Sequence, residues 1–597
     1  MTPPPESRAP LPPDTPSRLV IVGGVAGGMS CAARARRLND NAEIIVLERG
    51  EHVSFANCGL PYYVGGEIEH REALLVQTPQ RLEESLNLDV RTHHDVTGLD
   101  PESRTVTVET PDGTIEINYD ALVLSPGATA ATPPLPELDS PRVHTLRTVP
   151  DAVTLREIAE DARSAVVLGA GFIGVETAEV LAHRAITTTL VEYGPQVLPP
   201  LDSEHAWLVS GELRRLGVDV RTDTAALRVL AGEGTDTVEL SDGSSLDADL
   251  IVLATGVRPD TGVFEAAGVA CERGAIVTDE HGRTSLPQVW AVGDATISTD
   301  PVTGARRPVA LAGPANRAGR QVADDIMRPG TARALPSPAG TAIVRVGALT
   351  AAMTGANRRA LIDAGIDART LHLHPNQHAG YFPGAEQVHL SLHIDPADGR
   401  IFGAQAVGAD GVDKRIDVLA TAIRAGLHVD DLIDLDLAYA PPYGQAKDPV
   451  NLAGMLGANV LDGTVTLWYA DDLVDPDEVR QSSLVLDVRT ADEIATGMVP
   501  GALHIPHTEL RGRLDEVRDE PAGRPVRVMC ASGVRSALAH RILAQAGFDS
   551  ATLSGGMLTL RATLGDKAGE LLQAPADPTP GNRYTASSRK DEHHDDH

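Results

Sequence analysis

The feature that most constrains this chain is a strand, a glycine turn and a helix in immediate succession, and it occurs twice. RLVIVGGVAGGMSCAARARRL (18–38) reads as a buried apolar strand, a turn and a helix, and EIIVLERG (43–50) adds a second strand that closes a βαβ unit. SAVVLGAGFIGVETAEVLAHR (164–184) and TTLVEYG (188–194) repeat the pattern. A glycine turn at a helix N-terminus lets backbone N–H groups approach a pyrophosphate, and the helix dipole favours its charge. Two such units predict two bound dinucleotides, one per unit. DADLIVLATGVRP and LPQVWAVGDA read as strands returning to a sheet.

The second unit matches GxGxxG in full with Gly169, Gly171 and Gly174, and Phe172 and Ile173 open its helix. Glu192 ends the next strand, where a carboxylate accepts hydrogen bonds from both ribose hydroxyls and repels a 2′-phosphate; NADH is expected over NADPH. In the first unit Gly23 and Gly28 hold the outer positions, Val25 replaces the middle glycine, and Ala26 and Gly27 complete the turn. Glu48 ends its second strand, and Gly293-Asp294 offers a carboxylate suited to a ribityl hydroxyl.

At 597 residues the chain exceeds one hydrophobic core, so about three to five domains are expected. The formal charge of −32 argues against a nucleic-acid surface. Any anionic ligand must therefore find a local basic patch or a helix N-terminus. No stretch reaches the roughly 20 apolar residues of a membrane span. The Pro-rich residues 1–17 lack the order of a signal peptide and read as a disordered tail. Four cysteines, Cys31, Cys58, Cys271 and Cys530, give no disulfide framework, and a reducing, cytoplasmic setting fits. The closing HHDDH reads as part of a solvated tail, and no metal is expected.

From about Arg18 to Gly463 the chain resembles the flavoprotein disulfide reductases with two dinucleotide-binding domains, on GGVAGG, GAGFIGVE, LATGVRP and AVGD. The resemblance implies an α/β fold with two Rossmann-like domains, as in glutathione reductase, and an α+β dimerisation domain. FAD would occupy 18–147 and 257–335, NAD 148–256, and the dimerisation domain 336–465. It implies FAD at Gly23, Ala26, Gly27, Gly28, Glu48, Arg49, Ser125, Gly127, Gly293, Asp294 and Ala312. NAD falls to Gly169, Gly171, Phe172, Ile173, Gly174, Glu192 and Gly256.

SFANCGLPYYVGG carries Cys58, and where many relatives have a second cysteine five residues on, Tyr63 stands here. A lone cysteine at this point resembles the coenzyme A-disulfide reductase and NADH oxidase/peroxidase branch. Oxidases and peroxidases usually carry a histidine in the first glycine turn; here it is Ala26. The coenzyme A branch implies ligand contacts at Ser30, Arg34, Arg37, Ser54 and Asn57, with Leu86 at a position that is basic in relatives. Arg34 and Arg37, three apart on a helix, can face one phosphate. The branch also places Tyr381 of HAGYFPG and Tyr439 of AYAPPYGQAKDP near the reactive sulfur of the partner in a homodimer.

A further small α/β pattern starts at SSLVLDVRTADEI. VMCASGVRSALAHRIL places Cys530 between a strand and a helix, and the loop Cys530, Ala531, Ser532, Gly533, Val534, Arg535 resembles the active loop of rhodaneses. Asp487, Arg489 and VPGALHIP extend that resemblance over 472–572, with Met498 where a histidine is usual. Successive N–H groups and the helix dipole of such a loop stabilise a thiolate or a persulfide. A polar tail, 573–597, follows. Together these features predict a reductase of persulfide or polysulfide S–S bonds, using FAD, NADH and coenzyme A. Cys58, Cys530, Tyr381, Tyr439 and Arg535 are its expected catalytic residues. Coenzyme A-disulfide reduction for thiol homeostasis, NADH oxidation and slow-turnover sensing or sulfur carriage are the competing readings.

Overall fold

The computed structural model describes residues 15–136, 138–473, 479, 481–520 and 523–573. Of the two expected tails, residues 1–14 and 574–597, HHDDH included, lie outside the described residues. The chain divides into two compact units, 1–462 and 463–597.

The first unit holds two five-stranded parallel sheets built on one plan. One runs Val289–Ala291, Ala121–Leu124, Arg18–Val22, Glu43–Leu47, Asp89–Arg91. The other runs Asp219–Arg221, Thr187–Val191, Ser164–Leu168, Leu250–Leu253, Val143–Thr145. Leu19, Val20 and Ile21 have no exposed surface: Leu19 and Ile21 pack with the helices Ala26–Leu38 and Ala312–Met327, and Val20 with the antiparallel strands Asp95–Asp100, Thr105–Thr110 and Gly113–Asn118, so both faces are covered and every position is apolar. The two returning strands read from the sequence go to different sheets. Leu250–Leu253 lies beside Ser164–Leu168, and Val289–Ala291 beside Ala121–Leu124. In each sheet the strand before the glycine turn has neighbours reached in opposite directions, which opens a crevice beyond its C-terminal end.

A third, antiparallel sheet follows: Ala342–Val346, Leu349–Gly355, Ile401–Gly408, Val388–Ile394, Arg369–Leu373. The alternating QVHLSLHID forms a strand, yet its polar side is also buried. There His393 meets Asp202, and on the neighbouring strand Arg369–Leu373 His372 meets Glu204, each at 2.9 Å, at the start of the Ser203–Arg215 helix. Burial on both faces is sustained because these polar side chains face one another.

The second unit is a parallel sheet, Leu467–Trp468, Ser550–Leu553, Val526–Met529, Leu484–Asp487, Leu503–His504. Arg489 is buried against Asp487 at 2.7 Å and also donates to the carbonyls of Glu493 and Gly497, so its guanidinium is well satisfied. Among the described residues no helix is long and apolar enough to cross a membrane.

Candidate active site

Both glycine turns need their glycines for steric reasons. Gly23 has φ +95°, and a Cβ there would lie 2.0 Å from the Ser125 carbonyl oxygen; one on Gly28 would lie 1.9 Å from that of Gly23. Gly169 (φ +100°) and Gly174 repeat this, at 2.5 Å from Ala254 O and 1.9 Å from Gly169 O. The middle glycine, Gly171, faces open space. The two acids are also held alike. Glu48 accepts from Gly24 N–H and Gly50 N–H at 2.8 Å each, and Glu192 from Ala170 N–H and Gly194 N–H at 2.7 and 2.8 Å. Each carboxylate is thereby fixed beside its turn with lone pairs left for a ligand.

A cavity of about 590 Å³ at the first turn is lined by Gly23, Ala26, Gly27, Glu48, Arg49, Ser125, Gly127, Gly293 and Asp294. Gly28 does not line it and packs instead against Gly23 and Ile21. Arg49 is paired with Asp260, and Asp294 with Arg147 at 2.9 Å. A second, larger cleft of about 1870 Å³ shares Ala26, Asn57, Arg147 and Asp294 with the first. It brings Cys58 together with all five expected coenzyme A contacts, Ser30, Arg34, Arg37, Ser54 and Asn57. Gly171, Phe172, Ile173, Gly256 and Ala312 line it too. Thus one surface joins both nucleotide turns to the lone thiol. Asn57 Oδ1, buried with no hydrogen-bond partner, sits where the cavities meet, an acceptor that fits a ligand donor.

Cys58 is a free thiol, exposed to the cleft. Tyr63, at the position of the missing second cysteine, is buried under the Arg156 guanidinium, 4.5 Å from its ring centre. The loop before Cys58 is strained at Ser54 (φ +47°), whose N–H donates to Gly24 O at 2.9 Å and ties the loop to the turn. Desolvation by the cleft walls pushes the Cys58 pKa up. Glu176 and Asp294 push the same way, and Arg147 opposes them.

The arginines of the cleft are only partly as expected. Arg34 is engaged by Asp324 at 2.6 Å, and Arg37 donates to the Ala33 carbonyl. Arg317, Arg320 and Arg424 line the same cleft and were not singled out from the sequence, whereas Leu86 contributes an apolar wall. The Tyr381 and Tyr439 hydroxyls lie 3.2 Å apart on exposed rings. Neither ring lines the Cys58 cleft of its own subunit. Cys31 is fully buried in its helix, where desolvation pushes its thiol up to about 12, and it serves packing.

In the second unit Cys530 has no exposed surface, and its Sγ accepts from Gly533 N–H at 3.2 Å. Gly533 takes φ +94°, curling the loop Ala531–Arg535 into the N-terminus of the Val534–Gln545 helix. Met557 N–H and Leu558 N–H hold the Cys530 and Ala531 carbonyls from a neighbouring helix. Arg535 pairs with Glu493 through both nitrogens, the shorter at 2.5 Å, and this hydrogen bonding holds the Glu493 carboxyl down to about 2. Glu493 was missed because it lies 42 residues from Arg535.

Residues 17–319 match the family model described as pyridine nucleotide-disulphide oxidoreductase, which is more than half the chain. The chain belongs to this family. Membership makes it an oxidoreductase and implies FAD and NAD(H) as its redox cofactors. Residues 341–449 match the dimerisation domain of the same family, which supports a homodimer, and 468–562 match the rhodanese-like domain. The chain is 33% identical over 443 residues to the coenzyme A disulfide reductase of Staphylococcus haemolyticus, covering 73% of this chain and 98% of that protein. Reduced CoADR-RHD of Bacillus anthracis superposes with TM-score 0.89 at 39% identity, over 94% of this chain and 99% of the other. The NAD-dependent persulfide reductase of A. fulgidus gives 0.84 at 37%, over 91% and 99%.

Proposed function

We propose that this chain is an NADH-dependent reductase of sulfur–sulfur bonds. Its substrates would be persulfides, polysulfides or disulfides carried on coenzyme A, and Cys58 would do the chemistry. The observation that carries this reading is the shared cleft: the lone thiol lies on one surface with the NAD turn and an arginine cluster. In a chain of net charge −32 such a cluster is the local patch an anionic coenzyme A persulfide or disulfide requires. FAD in the adjoining cavity would supply passage of an electron pair from NADH to the sulfur.

The chain's own residues account for the rest. Cys58 thiolate attacks the inner sulfur of a coenzyme A persulfide, forming a mixed disulfide and releasing hydrosulfide. Two electrons and a proton then return Cys58 thiolate and free coenzyme A. Arg34 and Arg37, with Ser30, Ser54 and Asn57, hold the coenzyme, and Tyr381 and Tyr439 of each subunit assist at the partner's Cys58. Cys530, cradled by its loop with Arg535, carries sulfane sulfur to this site. The relatives named coenzyme A disulfide reductase cover 73% of the chain, so disulfide reduction by the first unit alone is the second reading.

Anaerobic NADH consumption with inorganic polysulfide and coenzyme A disulfide tests both. Cys530→Ser is expected to lose polysulfide turnover, in which sulfane sulfur has to be carried to the site, while keeping disulfide turnover. Equal turnover of both substrates by Cys530→Ser and wild type would refute the relay and leave an independent sulfurtransferase. Glu192 adds a separate expectation. With a fixed carboxylate at the ribose, kcat/KM for NADH should exceed that for NADPH on the order of 100-fold. Glu192→Ala should narrow the gap, and steady-state kinetics with both nucleotides would show it.

A further inference from the structure

Arg415 is among the largest fully buried side chains of the protein, 1% exposed, and the steps above do not use it. A guanidinium stays charged at any ordinary pH, so burial this deep requires that its donors be paired. It belongs to the Val412–Ala425 helix. Nη2 donates to the Gln377 carbonyl at 2.6 Å and to Asp448 Oδ2 at 2.8 Å, Nε to Asp448 Oδ1 at 3.3 Å, and Nη1 to the Gly411 carbonyl at 3.1 Å. Gln377 stands at the base of the loop that carries Tyr381, and Asp448 ends the segment that carries Tyr439.

Each of these partners controls its own loop. Gln377 closes residues 377–386: its N–H donates to Glu386 O at 2.9 Å, and its side-chain amide donates to Gly384 O at 2.9 Å and accepts from Glu386 N–H at 2.5 Å. Asp448 caps the Pro449–Leu461 helix, accepting from Val450 N–H at 3.1 Å. Lys414, beside Arg415, donates to the Ala438 carbonyl at 3.3 Å and lies 3.5 Å from Asp448, so it holds the residue before Tyr439. The two loops therefore share one clamp, and the Tyr381 and Tyr439 hydroxyls stand 3.2 Å apart although both rings are exposed.

We propose that Arg415, seconded by Lys414, is the positioning residue of the tyrosine pair and sets the distance between two phenols that lie 58 residues apart in the chain. The assignment rests on the reading that these tyrosines assist at the partner's Cys58. A hydrogen-bonded pair of phenols leaves one O–H free to donate outward, and the pair is kept only while both hydroxyls stay within reach of each other. Lysine at 415 would keep a charge beside Asp448 but lacks the planar fork that spans Asp448, Gln377 O and Gly411 O together. The backbone makes room for that fork: Gly411 takes φ +70°, and a Cβ there would lie 2.3 Å from Arg415 Nη1.

A double-mutant cycle between Arg415→Lys and the combined Tyr381→Phe and Tyr439→Phe variant tests this, read as anaerobic kcat and KM for coenzyme A disulfide. Lysine leaves Asp448 paired, so the fold should survive and NADH should bleach the flavin of Arg415→Lys as fast as that of wild type. With both tyrosines present, Arg415→Lys should lower kcat on the order of 10-fold or more with KM little changed. With both replaced by phenylalanine, it should lower kcat no further, because the pair it aligns is gone. Should Arg415→Lys fail to fold, Lys414→Met enters the same cycle with a smaller expected loss, since it removes the hold on Ala438 and leaves the buried fork in place. Wild-type kcat in Arg415→Lys, or an equal loss in both backgrounds, would overturn the inference. Wild-type turnover by the phenylalanine variant would instead sink the tyrosine reading, and alignment is then decided by alkaline titration of phenolate absorbance, taken as the difference between each protein and its Tyr381→Phe version. The hydrogen bond with Tyr439 holds the Tyr381 phenol above its ordinary range, and Arg415→Lys should bring it down. A titration left unchanged by Arg415→Lys would overturn the inference independently of turnover.

Discussion

Cys58→Ser is expected to lower NADH-dependent reduction of coenzyme A persulfide and coenzyme A disulfide on the order of 10⁴-fold or more. Among the described residues of the first unit no other cysteine lines the cleft, neither Cys31, buried in its helix, nor Cys271. A serine hydroxyl forms no mixed disulfide, so no slower route through the same geometry remains. Flavin content and the NADH-dependent bleaching of its absorbance should be retained, since neither needs the thiol. Anaerobic stopped-flow mixing separates the two halves. Bleaching without turnover is the expected result, and sulfur turnover near wild type would remove Cys58 from the mechanism.

Gly319→Ala is expected to destabilise the first unit by about 3 kcal/mol, near the upper end for overpacking. A Cβ on Gly319 would lie 2.1 Å from the Gly27 carbonyl oxygen and 3.1 Å from Cys31 N, both backbone atoms of the helix that carries the first glycine turn. No rotamer relieves that overlap, so the Ala312–Met327 helix must move away from Ala26–Leu38. The melting temperature should fall by about 6 °C or more, with loss of bound FAD on gel filtration. Gly211, also in a helix but with nothing within 4 Å of its Cβ position, is the control. Gly211→Ala should be neutral or stabilising, because alanine is the better helix former. Equal melting temperatures for the two variants would mean that the helix crossing is not tight.

The sequence could be read for the glycine turns because strand, turn and helix are contiguous and their chemistry is local. Gly23, Gly28, Gly169 and Gly174 are forced by contacts within one βαβ unit or with the adjoining strand. Glu48 and Glu192 could be placed for the same reason, each one strand after its turn. Cys58 and Cys530 stood out by the segments around them. The five expected coenzyme contacts converge on one cleft because the first helix and the Ser54–Cys58 loop are both anchored to the first turn.

Other parts of the site depend on chain segments that meet only after folding. Glu176 is 114 residues from Tyr62, Arg147 is 147 from Asp294, and Glu493 is 42 from Arg535. In sequence each is an ordinary surface-type charge within an amphipathic or polar stretch. The Arg34 guanidinium illustrates the same limit: helical spacing put it beside Arg37, and only packing against the Ala312–Met327 helix supplied Asp324. Likewise the polar side of the Arg369–Leu373 and Val388–Ile394 pair would be solvated in an isolated hairpin, and is buried because Asp202 and Glu204 arrive from a distant segment of the chain.

By itself, then, the sequence determined the two glycine turns, the two loops that carry Cys58 and Cys530 and the order of the domains, since short-range sterics and hydrogen bonding specify them. The tertiary structure alone decided which charges neighbour which thiol. Those pairings set proton affinities through distance and desolvation, and neither quantity exists until distant segments pack together.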